Sequence, residues 1–106
     1  MKEAPVEQRL KARLEGHGFK VLKLVTEGTS GTPDRMILRP KWSPGAPWVV
    51  ECKRPKKTER LLQATVRDEW RKRGVQVLDV CDSYERVDEI EIELMEICHA
   101  ERIDGK

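Results

Sequence analysis

A chain of 106 residues, 38% apolar and 38% charged, is long enough for one hydrophobic core and points to a single domain over residues 1–106. It contains no apolar run near the roughly 20 residues of a membrane span and no apolar N-terminal signal segment, so a soluble, cytoplasmic protein is expected. Its net charge of +2 hides an asymmetry: residues 1–74 carry 18 Lys/Arg against 9 Asp/Glu and residues 75–106 carry 3 against 10, which predicts a basic face for a polyanion and an acidic segment turned away from it.

Pro5 suits a first helical turn, and Val6, Leu10 and Leu14 recur at helical spacing until Gly16 and Gly18, predicting a first helix. Residues 19–26 read as a strand, 27–33 as a tight loop and 34–39 as a second strand. The connection from Pro40 to Pro47 is too short for a helical crossover, so the third strand, 48–53, is expected antiparallel to the second. Thr58 can cap a helix with the stripe Leu62, Val66 and Trp70, which stops at Gly74 before a fourth strand at 75–80. Asp82 with Glu85 resembles a capping box for a last helix bearing Val87, Ile90, Leu94 and Ile97, although the acid/apolar alternation of 89–94 leaves a strand as the rival. The order is αβββαβα, and strands apolar on both sides predict an α/β fold whose sheet is covered on both faces.

The three cysteines, Cys52, Cys81 and Cys98, are odd in number and set in apolar surroundings, which suits reduced core thiols better than a disulfide or zinc framework. His17 and His99 sit near helix ends, where solvated or capping roles suffice.

The third strand carries the unusual feature. Val49, Glu51 and Lys53 alternate onto one face, and Trp48, Val50 and Cys52 onto the other. Pairing Arg39 with Trp48 would set Asp34 opposite Lys53 and diagonal to Glu51, whereas a two-residue shift would set Asp34 directly opposite Glu51. Directly opposed Cβ atoms lie about 4.5 to 5.5 Å apart, so two half-buried carboxylates there repel unless neutralised. Lys53 could do this as a structural ion-pair partner. A divalent cation is the functional alternative, and two carboxylates with open positions suit a hard ion such as Mg²⁺ or Mn²⁺. An ion of that kind beside a lysine fits phosphodiester hydrolysis. Pro33 would hold Asp34 at a strand entrance. Glu7 projects near Leu14 and Gln63 near Trp70, so both could face the sheet; helix N-terminal stabilisation and a boundary position are their plainer explanations.

Together, Glu7, the run Gly31-Thr32-Pro33-Asp34, the run Glu51-Cys52-Lys53, Leu62-Gln63 and Gly74 resemble the VRR-NUC (virus-type replication-repair nuclease) domain, a branch of the PD-(D/E)xK nucleases. The resemblance implies a restriction-endonuclease-like αβββαβ core with a mixed four-stranded sheet flanked by helices, here followed by a C-terminal helix. It implies that Asp34, Glu51 and the backbone carbonyl of Cys52 ligate the metal. Lys53 would be the catalytic lysine, Glu7 would assist at the metal through water, and Gln63 would support the site. It further implies a homodimeric endonuclease acting on branched DNA such as four-way (Holliday) junctions, in a phage or prophage setting and without a small-molecule substrate. Flap or duplex cleavage by the same fold and a catalytically inert DNA-binding module are the rivals. Arg9, Arg13, Lys56, Lys57 and Arg60, with Lys20 and Lys23, are candidate phosphate contacts or simply solvated cations. Trp42 is a candidate for stacking on an unpaired base, or for packing within its loop.

Overall fold

The computed structural model describes residues 5–25, 32–53 and 61–104. Among the described residues, three helices, α1 (Pro5–Glu15), α2 (Leu61–Lys72) and α3 (Tyr84–Asp104), accompany four strands, β1 (Lys20–Lys23), β2 (Arg35–Leu38), β3 (Trp48–Val50) and β4 (Gln76–Val77). The strands lie in the order β1-β2-β3-β4, with β1–β2 and β2–β3 antiparallel and β3–β4 parallel. This is the mixed α/β sheet expected, in the expected αβββαβα order.

The stripe Val6, Leu10 and Leu14 of α1 meets Val87, Ile90, Leu94 and Cys98 of α3, and both helices cover the sheet face of Val21, Ile37, Trp48, Val50 and Cys52. The last helix is therefore a helix throughout 89–94. Within the run Glu89 and Glu93 face outward with Ile92, while Glu91 turns toward α1, and the buried spacing of Val87, Ile90 and Leu94 at three and four residues decides the matter. The opposite sheet face, that of Val49 and Glu51, receives Gln63 from α2.

Glycine ends two helices in the same way. At α1, Phe19 N–H donates to Leu14 O and Gly18 N–H to Glu15 O; at α2, Val75 N–H donates to Trp70 O and Gly74 N–H to Arg71 O. Both patterns are Schellman motifs, and the φ of 96° at Gly18 and 95° at Gly74 explains why each turn carries glycine.

The cap of α3 differs from expectation by one residue. Ser83 Oγ accepts the Arg86 N–H at 3.0 Å, so Ser83 rather than Asp82 caps the helix, and the Asp82/Glu85 box is not used. Ser83→Ala should cost about 1 kcal/mol, or roughly 5 °C of melting temperature for a domain of this size, while Asp82→Ala changes little. Thermal melts of the two variants check this.

The strands are shorter than the sequence suggests, and one cause sits beside Glu51. Trp48 pairs with Gln76 and Val49 with Val77, but Cys52 bridges Cys81, so the β4 side holds one extra residue between the two pairings. Leu78 N–H reaches Val49 O, and the next bond across is Cys81 N–H to Glu51 O. Such a bulge breaks the regular ladder and re-aims the side chain next to it. All three cysteines are buried free thiols.

Candidate active site

Of the two registers open to β2 and β3, the shifted one forms: Ile37 pairs with Trp48, Met36 with Val49 and Arg35 with Val50. It seats Ile37 and Trp48 together in the core and lets the Arg39 guanidinium lie 4.3 Å from the centre of the Trp48 ring, where it donates to Ala46 O and pairs with Glu101. One step further along that ladder, Asp34 falls opposite Glu51.

Asp34 is held from both neighbouring strands. Its backbone carbonyl accepts the Leu24 N–H at 2.8 Å, and its Oδ1 accepts the Cys52 N–H at 2.9 Å. Glu51 O and Lys53 N both bond to Cys81 on the β4 side. Alternation along the extended backbone therefore turns both the N–H and the C=O of Cys52 toward Asp34. The thiol of Cys52 contributes nothing anionic: its hydrogen bond with Cys81 and its burial push it far above the ordinary thiol range. Cys52 can serve the site through its carbonyl and not through sulfur.

Glu51 is 16% exposed, with Lys53 Nζ 3.9 Å and Gln63 Nε2 3.3 Å from its Oε2. Among the described residues its Oε1 is buried and has no hydrogen-bond partner. Burial first, then the Asp34 carboxylate, push the Glu51 pKa up to about 7, against the opposing pull of Lys53 and Arg35. Lys53, itself only 13% exposed, pulls the Glu51 carboxyl downward, but by less than burial and Asp34 push it up.

A buried carboxylate oxygen without a donor, facing a second carboxylate, is the electrostatic demand that a hard divalent cation meets. No group of three or more His, Cys, Asp or Glu assembles a metal cage among the described residues. The residues that could hold such an ion are Asp34, Glu51 and the Cys52 carbonyl, a set of oxygens that would leave positions for water and phosphate oxygens.

Glu7, on α1, accepts Arg35 Nη2 at 2.7 Å through its Oε2, and its charge also reaches Glu51, adding to the upward push on that carboxyl. Arg35 is the residue that sequence reasoning passed over. Its signal was present: alternation puts Arg35 on the core face with Ile37, beneath a helix that presents Glu7 near its apolar stripe.

The candidate DNA contacts are scattered. Arg9 pairs with Asp88 at 3.2 Å and lies 4.9 Å from the centre of the Tyr84 ring, and Arg13 pairs with Glu91 at 3.7 Å. Acidic α3 thus packs directly on basic α1 rather than turning away from it. Trp42 sits at the loop end of the β2–β3 hairpin, far from the Asp34 end; its Nε1 donates to His17 O and its ring lies 4.9 Å from that of His99. Lys56, Lys57 and Arg60, like Thr58 and Gly31, lie outside the described residues.

No family profile matches the sequence, and no curated protein matches it. Among solved structures, one described as a VRR_NUC domain superposes with a TM-score of 0.68 at 36% sequence identity, covering 80% of this chain and 88% of its own.

Proposed function

The chain belongs to the VRR_NUC domain family, whose fold is that of the restriction-endonuclease-like nucleases, and we propose that it is a divalent-metal-dependent DNA endonuclease selecting branched DNA such as four-way junctions. The observation that carries the chemistry is the buried, unpartnered Glu51 Oε1 opposite Asp34, with Lys53 beside it. When bound, Mg²⁺ or Mn²⁺ supplies Lewis-acid polarisation of a phosphodiester and neutralises its charge.

The protein's own groups do the rest. Asp34, Glu51 and the Cys52 carbonyl would hold the ion. Lys53 brings an ammonium to the reacting phosphate, where it stabilises developing negative charge and orients a water. Gln63 fixes the Glu51 carboxylate through its hydrogen bond, and Glu7 supports the site from α1. The basic residues at 54–60 follow directly on Lys53 in sequence and supply phosphate contacts, with Arg9 and Arg13 available only by exchange from their α3 carboxylates.

A homodimer would place two such sites on symmetry-related strands of a junction, which one site per short chain cannot do in a single encounter. No helix among the described residues is long and apolar enough to cross a membrane.

The test is a cleavage panel of four-way junction, flap and linear duplex at one salt concentration, with and without Mg²⁺ or Mn²⁺. Cleavage should require the ion, and the junction should be cut at least about tenfold faster than duplex, a barrier difference of ~1.4 kcal/mol. Equal rates on all substrates would remove the branch selectivity and leave a general nuclease. Binding without cleavage under every condition would mark an inert DNA-binding module.

A further inference from the structure

The guanidinium of Arg35 is 7% exposed and ties three parts of the chain to one point. Its Nη2 donates to Glu7 Oε2 on α1 at 2.7 Å, its Nη1 donates to the Asp34 carbonyl at 2.9 Å, and the same Nη1 lies 3.4 Å from Asp34 Oδ2. With Oδ1 held by the Cys52 N–H, both oxygens of Asp34 have fixed partners and the carboxylate has little rotational freedom. The fork geometry matters here, because a single ammonium could not reach the carbonyl, Oδ2 and Glu7 together.

We propose that Arg35 is a positioning residue for the Asp34–Glu51 site, fixing the Asp34 carboxylate in the orientation that binds a divalent ion, and that Glu7 acts through Arg35 by holding its guanidinium. This rests on the metal-site reading above and deepens it. Glu7 and Arg35 form a buried pair under the sheet, and Asp34 is where that pair reaches the site.

Charge and geometry make opposite predictions for this residue. A cation beside an ion site repels the ion, so if Arg35 acted only as a charge, its removal would tighten Mn²⁺ binding. If it positions Asp34, removal weakens binding, by roughly 10- to 100-fold as for other groups that orient metal ligands.

Mn²⁺ binding to the DNA-free protein, read as free ion by electron paramagnetic resonance, separates the two in Arg35→Lys and in the double variant Glu7→Gln/Arg35→Met. The double variant removes both members of the buried Glu7–Arg35 pair, so neither is left buried without the other, and circular dichroism and melting check that the fold is kept. Arg35→Lys keeps the charge and loses the fork. Both should bind Mn²⁺ more weakly, and the Mn²⁺ concentration for half-maximal cleavage should rise by the same factor while the rate at saturating Mn²⁺ falls less. Wild-type or tighter affinity in either folded variant overturns the role of Arg35. Absence of Mn²⁺ binding by the wild-type protein overturns the metal-site reading instead.

Discussion

Glu51→Gln should reduce DNA cleavage by about a thousandfold or more while leaving DNA affinity within about twofold of wild type, since ion-assisted charge stabilisation is worth several kcal/mol and each 1.36 kcal/mol is a decade in rate. The substitution is isosteric. Glutamine at 51 can still accept the Gln63 hydrogen bond through its carbonyl, so packing survives while the anionic charge is lost. The buried, partnerless Oε1 makes Glu51 the stronger choice over Asp34, whose two oxygens also serve Cys52 and Arg35 and whose replacement would disturb the strand entrance. Single-turnover cleavage and a binding titration on a four-way junction, measured on the same preparation, report the two quantities separately. Cleavage at the wild-type rate would remove Glu51 from the chemistry and with it the proposed ion site.

How far the sequence alone could go depends on the range of the interaction concerned. The C-terminal ends of α1 and α2 were legible because they are local: Gly18 and Gly74 stand where left-handed turns need them, and the stripes Val6, Leu10, Leu14 and Val87, Ile90, Leu94 appear in the core, although Cys98 rather than the partly buried Ile97 completes the second. The face shared by Asp34 and Glu51 was legible too, because alternation is local. Their register was not, because it is decided by the Ile37–Trp48 packing and by Arg39 lying over Trp48, contacts that no window of sequence contains. The shortening of β3 and β4 has the same origin, since a bulge depends on how two strands align. The helix-borne cations were harder still. Arg9 and Arg13 look like polyanion contacts on a basic helix, but the packing of α1 on α3 gives each a carboxylate partner. Arg35 escaped notice for the converse reason: a single arginine in a strand carries no pattern until its partner on another element is known.

In the presence of chelator, the wild-type protein should lose stability as pH rises from about 4.5 to about 7, whereas Glu51→Gln should not show that loss. The sign follows from the direction of the shift. Glu51 titrates near 7 in the folded chain instead of at its ordinary 4.5, so between those values the folded state binds more protons than the unfolded one. Stability therefore falls with rising pH through that window, is unaffected by this group below it, and levels off above it. The largest cause is burial and the second is Asp34, both of which persist when the ion is removed. Converted at 1.36 kcal/mol for each pH unit, the full effect has an upper bound of about 3 to 4 kcal/mol, or on the order of 15 °C in melting temperature. The variant should accordingly melt above wild type at pH 8 and close to it at pH 4.5. Adding Mg²⁺ at pH 8 should raise the wild-type melting temperature and leave that of Glu51→Gln nearly unchanged, because the ion offsets a repulsion that the variant no longer has. Identical melting of the two proteins across pH in chelator would show that Glu51 does not bear a buried, uncompensated charge, and the case for a cation at this site would lose its physical basis.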